Sequence, residues 1–421
     1  MNEKIIERNG YLNKLIARKE NGLIKILTGI RRCGKSYLLN NIFYNYLIAS
    51  GVKEDHIIKL ALDREDNVIY HDPKLLNEYI LSNIKDKDMY YVLLDEIQLV
   101  EGFEFVLNGL LYERNVDVYV TGSNSKFLST DIVTEFRGRG EEIRIYPLSF
   151  SEFMSAYNGS IQDGWIEYAT YGGLPIIATK MNSDERKMKY LEEQNQNVYI
   201  NDILERNRID NSREIINILL KIISSSIGSL TNPKKISSTF KSEMNIDIAP
   251  ATISNYLQYL EEAFIIEKST RFDVKGRKYI STPSKYYFSD IGIRNSLINF
   301  RQQEETHIME NIIYLELKKR GFNVDVGLIE YKGKENGKDF YKQLEIDFIA
   351  NKGNNKFYIQ SAYSMPDSEK REQEERPLLK INDSFKKFII TKDYIKAWRD
   401  DNGIITMSLF EFLNNINSLE Y

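Results

Sequence analysis

The sequence predicts an α/β protein opening on a parallel sheet, and three stretches of its first third carry that prediction. The apolar run Leu23–Leu27 leads into Gly29-Ile-Arg-Arg-Cys-Gly-Lys-Ser36, after which Tyr37–Leu47 places apolar residues at helical spacing. The run Tyr90–Leu94 ends on Asp95-Glu96, and Val116–Val120 ends on Thr121-Gly-Ser-Asn124. Short, mostly apolar strands that alternate with helices are the pattern of a parallel sheet covered on both faces.

Each element follows in order. Gly29 to Ser36 fits G-x-x-x-x-G-K-[ST] at a strand-to-helix turn, where glycines let successive backbone N–H groups face a phosphate and the helix N-terminus adds partial positive charge. The expected ligand is ATP with Mg²⁺. Lys35 would reach the β- and γ-phosphates and the Ser36 hydroxyl would hold the metal; Gly29, Arg32, Cys33, Gly34 and Tyr37 complete the nucleotide-binding set. Ile57–Leu62 reads as a second strand and Pro73–Ile84 as a helix. Asp95 lies fifty-nine residues after Ser36, with a strand and a helix between, which suits a second Mg²⁺ ligand acting through water; Glu96 would then polarise the attacking water. A helix over Phe103–Arg114 precedes the third apolar run. Asn124, with Ser123 as second choice, is the candidate that senses the γ-phosphate, the alternative being that both residues cap the next helix. In Phe136-Arg-Gly-Arg-Gly140, Arg139 or Arg137 suits an arginine finger or a solvated turn, and the sequence leaves open whether a finger would act in cis or in trans.

Composition limits the alternatives. At 421 residues the chain exceeds one ordinary core, and a net charge of −4 confines any nucleic-acid surface to a local patch. One cysteine excludes internal disulfides, and the scattered His56, His71 and His307 suggest no zinc set. No signal-length apolar segment or membrane-length run occurs, so a cytoplasmic location and no membrane partner are expected.

The phosphate loop, Asp95-Glu96 and Thr121-Gly-Ser-Asn124, followed by Tyr146-Pro-Leu-Ser-Phe-Ser-Glu-Phe153 and Tyr171-Gly-Gly-Leu-Pro175, together resemble a family of bacterial and archaeal AAA+ ATPases that join an ATPase core to an uncharacterised C-terminal domain. The resemblance implies a P-loop core over residues 1–160 whose Walker-B strand neighbours an inserted strand, and a nucleotide-dependent switch or motor. Residues 161–212, including Tyr199-Ile-Asn-Asp-Ile-Leu-Glu-Arg206, are expected to form a helical lid; Arg206 and Arg208 are read as partners in helix-surface salt bridges, with a phosphate contact by either left open.

Residues 213–300 read as a winged helix-turn-helix. Thr252, Ser254 and Asn255 stand outside the apolar stripe of Ile253, Leu257 and Leu260, and a hairpin follows. Six basic residues stand against one acid between Lys268 and Lys285, interleaved with Phe272, Tyr279, Tyr286 and Tyr287, a composition that suits duplex DNA. A protein partner or self-association is the competing use of such a module. Residues 301–421 read as a small α/β domain in which Glu310, Glu345-Ile-Asp347 and Gln360-Ser-Ala362 follow the layout of a PD-(D/E)xK nuclease. The expected E-x-K is replaced by Gln360 and Ala362, so no cleavage is expected. The leading reading is an ATP-hydrolysing P-loop ATPase. A non-hydrolysing ATP-dependent regulator or DNA-binding module comes second, and an ATP-gated nuclease third.

Overall fold

The computed structural model describes residues 5–122, 136, 138–207, 209, 212–301, 304–335 and 338–421. Asn124, Ser123, Arg137 and Arg208 therefore lie outside the described residues. The chain divides into two compact units: Met1–Leu148 with Leu174–Lys180 and Glu262–Phe264, and Ser149–Gly173 with Met181–Glu261 and Ile265–Tyr421.

In the first unit helix α1 (Asn9–Ile16) precedes strand β1 (Ile24–Thr28). The helical segments Lys35–Tyr37, Leu38–Phe43 and Tyr44–Ala49 run on from one another and are together termed α2. Strand β2 (Ile57–Ala61), helix α3 (Pro73–Asn83), β3 (Tyr90–Asp95), α4 (Phe103–Leu110), β4 (Val116–Thr121) and β5 (Gly140–Arg144) follow. All five strands are parallel, in the order β2-β3-β4-β1-β5. Strand β4 thus lies between β1, which carries the phosphate loop, and the Asp95 strand, the inserted strand that the resemblance implied. Every residue of β1 and β3 is buried, which suits their mostly apolar sequences; the one cation in β1, Lys25, is paired with Asp117 of β4, and each fully buried Ile, Leu or Val contributes roughly 1.5–3 kcal/mol. Asp72 caps α3 by accepting from the Lys74 and Leu75 amides, with Pro73 preset for the first helical position.

The second unit contains the helices Phe150–Ala156 and Ile161–Tyr171, and two of the family's sequence pieces acquire a physical reason there. Ser149 and Glu152 form a reciprocal capping box: Ser149 Oγ accepts from the Glu152 amide at 3.1 Å and the Glu152 carboxylate accepts from the Ser149 amide at 2.8 Å. Gly172 has φ +77°, and a Cβ there would lie 2.1 Å from Asp290 Oδ1, while Asp290 Oδ2 accepts from the Gly173 amide at 2.7 Å. Burial raises the Asp290 pKa to about 6 against three backbone donors that hold its charge.

The helices α5 (Arg213–Ser225), α6 (Pro233–Met244) and α7 (Pro250–Glu262) supply the helical part of the region read as a helix-turn-helix. Ile253, Leu257 and Leu260 form the buried stripe of α7. The hairpin β6 (Ile266–Asp273) and β7 (Lys278–Phe288) is not a free wing, because β6 pairs in parallel with β8 (Asn323–Glu335) at Arg271, Phe272 and Asp273. With α8 (Glu305–Lys319), β9 (Lys338–Lys352), β10 (Asn355–Ala362), α9 (Ser368–Leu379), β11 (Lys386–Thr391), β12 (Trp398–Arg399) and β13 (Ile404–Ser408), the hairpin completes an eight-stranded sheet ordered β12-β13-β11-β10-β9-β8-β6-β7. Consequently Arg271, Lys285, Tyr286 and Tyr287 are buried, and the exposed basic residues of the hairpin are Lys268, Lys275, Arg277 and Lys278. Among the described residues no helix is long and apolar enough to cross a membrane.

Candidate functional site

The loop after β1 is shaped by close approach. Gly29 has φ +147°, and a Cβ on it would lie 2.2 Å from the Ile145 carbonyl oxygen, so no larger residue fits. Gly34 is left-handed, with φ +100°, and caps the start of α2. Cys33 is fully buried with Sγ 3.4 Å from the Ile145 oxygen, which leaves its backbone rather than its thiol for any ligand. Arg32 is exposed, and Tyr37 is 41% exposed on the first turn of α2. The buried Lys35 donates to the loop's own carbonyls, Gly29 O at 2.9 Å and Ile30 O at 3.2 Å. Its ammonium is thus held over the concave loop, within one side-chain swing of an anion resting on the backbone amides.

Asp95 ends β3 beside that loop at 4% exposure. Its Oδ1 accepts from Ser36 Oγ at 3.0 Å and from the Thr121 hydroxyl, and its Oδ2 accepts from Asn40 Nδ2 at 3.1 Å. Burial pushes the Asp95 pKa up, the neighbouring Glu96 and Asp63 charges add to that, and the Thr121 and Ser36 hydroxyls oppose it. Thr121 accepts in turn from the Glu96 amide at 3.1 Å, linking the ends of β3 and β4. Glu96 sits at φ +55°, a conformation that costs a non-glycine residue on the order of 1–2 kcal/mol, and its carboxylate accepts from Gln98 Nε2.

Sequence reasoning overlooked Thr121 and Asn40. Thr121 stands inside the quoted Thr-Gly-Ser-Asn piece, and Asn40 lies four residues after Ser36, a spacing that signals a shared helix face. The Leu38–Phe43 segment that carries Asn40 is π-helical, a distortion that recurs at functional sites. A serine hydroxyl and a carboxylate 3.0 Å apart at the end of the phosphate loop form a hard oxygen pair that fits Mg²⁺.

Arg139 is not brought to this chain's phosphate loop. Its carbonyl accepts from the Ile24 amide at the start of β1, whereas the loop leaves the other end after Thr28, about 13 Å of strand away. A cavity of about 280 Å³ adjoins the loop inside the same unit, with Ile6, Tyr37, Leu148, Pro175 and Ile176 giving apolar walls beside Gly34.

A second chemical cluster occupies the second unit. Lys285 Nζ lies 2.7 Å from both Glu310 Oε1 and Glu345 Oε1 and 3.7 Å from Asp347 Oδ1. Tyr287 donates to Glu310 Oε1 at 2.6 Å, and the Ser361 amide donates to Asp347 Oδ2 at 2.8 Å. Gln360, expected beside the acids, accepts from the Asp347 amide at 2.9 Å. Burial and then the Glu310 charge raise the Asp347 pKa to about 7, whereas Lys285 and its fellow donors hold Glu310 below the usual carboxylate range despite burial. Burial alone would lower the Lys285 pKa, and the three carboxylates reverse this and raise it. Gln360 and Ala362 stand where an E-x-K would, and the structure adds Glu345 from β9 and Lys285 from β7 to the acids of this cluster.

At the far edge of the first unit, His56 Nδ1 lies 2.8 Å from Asp55 and Nε2 lies 3.2 Å from Asp86, with Asp88 at 3.8 Å. The ring stacks on Tyr90 with centroids 4.4 Å apart. His56 is thus gathered with acids, while neither His71 nor His307 joins it.

Comparison with known proteins agrees with the first unit. A family model described as an AAA domain matches residues 21–154, and one described as a domain of unknown function matches residues 162–304. An uncharacterised protein of Haemophilus influenzae is 34% identical over 419 residues, covering 98% of this chain and 100% of its own length. An uncharacterised protein of Methanocaldococcus jannaschii is 31% identical over 386 residues, covering 88% of this chain and 80% of its own. Among solved structures, a Walker-type ATPase of Pyrococcus abyssi aligns with a TM-score of 0.48 at 17% identity, over 70% of this chain and 96% of that one. The chain belongs to the protein family that these bacterial and archaeal relatives represent, and its residues 21–154 match an AAA domain.

Proposed function

We propose that the chain hydrolyses ATP and works as a nucleotide-dependent switch or motor. The observation that carries this reading is the convergence of Ser36, Asn40 and Thr121 on Asp95 beside the Lys35 loop. Ser36 and Asp95 would hold Mg²⁺, which neutralises charge on the β- and γ-phosphates. Lys35 exchanges the Gly29 and Ile30 carbonyls for phosphate oxygens, and the Gly34 and Lys35 amides cradle the same anion. Glu96, at the end of the same strand, takes the proton of the attacking water, and Asn124 is the proposed γ-phosphate sensor. The apolar cavity beside Gly34 suits the adenine base. Because Arg139 lies at the opposite end of β1, its proposed role is that of a finger offered to a neighbouring copy. Steady-state phosphate release in Mg²⁺ tests the reading: sustained turnover supports it, and ATP binding without turnover shifts the assignment to a non-hydrolysing regulator.

Duplex DNA is the proposed partner of the second unit, through the exposed Lys275, Arg277, Lys278 and Tyr279 at the hairpin turn. Replacing the three basic residues with alanine should weaken binding evenly across sequences and flatten the salt dependence by about three phosphate equivalents. An unaltered slope would favour a protein partner. The Glu310 cluster is proposed not to cleave nucleic acid, because the Lys285 ammonium already bridges two of its carboxylates and a divalent cation would have to displace it.

A further inference from the structure

We infer that Arg8 is a positioning residue of the nucleotide site, which makes the segment before α1 part of that site. Arg8 precedes α1 and is 3% exposed, so its cation is buried in the first unit. One guanidinium nitrogen donates to the Cys33 carbonyl at 3.1 Å and the other to the Tyr146 carbonyl at 2.7 Å. The guanidinium also lies 4.6 Å from the centroid of the Tyr11 ring, whose hydroxyl accepts from the Tyr146 amide at 3.1 Å. Arg8 and Ile6 both line the cavity beside Gly34.

The two acceptors are not arbitrary backbone atoms. Tyr146 follows Ile145, whose carbonyl closes on Gly29 and on the Cys33 thiol, so Arg8 joins both backbone segments that set the shape of the phosphate loop. The Cys33 carbonyl and the Gly34 N–H belong to one planar trans peptide, in which the two groups point in opposite directions. Holding the carbonyl on one side fixes the N–H on the other, and the Gly34 N–H is one of the donors that a phosphate loop presents to its anion. A charge-assisted bond to the carbonyl also polarises the peptide and strengthens that N–H as a donor. A lysine could neutralise the same region but could not bridge the two carbonyls with a planar fork. The sequence contains no motif that marks Arg8, because its role arises from a fold that returns residue 146 to residue 8.

This inference rests on the proposed ATP-binding reading, and the test separates the two. Wild-type protein, Arg8→Met, Arg8→Lys and Tyr11→Phe, all as full chains, are titrated with ATP and with ADP in Mg²⁺, and turnover is followed against ATP concentration. Arg8→Met is expected to raise Kd for both nucleotides and KM for ATP by roughly 10- to 100-fold, the range of one charge-assisted hydrogen bond, with kcat changed by less than the KM. Arg8→Lys should fall between Arg8→Met and wild type. Tyr11→Phe, which keeps the ring against Arg8 and removes only the hydroxyl's bond to the Tyr146 amide, should change the affinities by less than Arg8→Lys does although its thermal midpoint falls. If Arg8→Met does not fold, Arg8→Lys carries the test, and an unchanged nucleotide affinity in it overturns the inference. A KM that rises equally in Tyr11→Phe and Arg8→Met also overturns it, since general loosening would then explain both. Wild-type protein that binds neither nucleotide refutes the ATP reading itself, whereas wild-type binding with unaltered Arg8→Met constants refutes the role of Arg8 alone.

Discussion

The phosphate-loop site and the Glu310 cluster are both built of carboxylates and one lysine, and they dispose of charge in opposite ways. In the first unit Lys35 rests on neutral carbonyls and Asp95 on hydroxyl and amide donors, so cation and anion are kept apart and each can take a ligand of opposite charge. In the second unit Lys285 sits directly on Glu310 and Glu345, and the charges satisfy one another. Which residue types are present matters less than whether their charges are left for a ligand.

The strongest way to break this comparison is at Glu96. Glu96→Gln should leave ATP affinity near wild type while lowering turnover by about 10²- to 10⁴-fold, since an amide cannot take up the proton. Normal turnover in that variant would place the base elsewhere. On the other side of the comparison, Lys285→Met should lower stability by about 3–5 kcal/mol in chemical denaturation, because buried carboxylates lose their neutralising partner, and adding Glu310→Gln to it should recover part of the loss. A Lys285→Met protein as stable as wild type would mean that the cluster is solvated and open. The same cluster should show no Mg²⁺- or Mn²⁺-dependent cutting of single- or double-stranded DNA, and cutting that disappears in Asp347→Ala would reverse that assignment.

Smaller effects sharpen the account. Thr121→Val removes one donor to Asp95 and the acceptor of the Glu96 amide, which should cost about 1–3 kcal/mol and reduce turnover more than nucleotide affinity. Equal losses in affinity and turnover would make Thr121 a binding residue instead. The smallest effect concerns His56. Asp55 raises its pKa against desolvation, and Asp86 adds to this, so the folded protein binds the proton more tightly than the unfolded chain. The stability from this clasp is complete below the unfolded value of about 6.5 and is lost as pH rises through the raised folded value. His56→Gln should flatten that part of the pH–stability curve, and an unchanged curve would show that the ring stays neutral.

Legibility in the sequence followed contiguity. Gly29, Gly34, Lys35 and Ser36 are read from one eight-residue motif, and Asp95-Glu96 from one apolar strand, because each signal is local. The capping box at Ser149 and Glu152 is equally local. Thr121 and Asn40 were within reach, one in a quoted motif and one a helical turn past Ser36, yet their common target is fixed by the order of β1, β4 and β3. Lys285 was read as a wing cation because composition cannot reveal that β6 would pair with β8 and carry β7 into a larger sheet. Arg139 was legible as an arginine on a turn but not as one at the far end of β1, and Arg8 belongs to a contact that spans 138 residues.

The most direct measurement is a calorimetric titration of ATP with Mg²⁺ into the wild-type chain and into Lys35→Ala at the same ionic strength. The account predicts saturable binding to the wild type and at least about 10²-fold weaker binding to Lys35→Ala, the loss expected when two charge-assisted hydrogen bonds to phosphate are removed. Equal affinity in the two proteins would contradict the assignment of Gly29–Ser36 as the phosphate-binding loop.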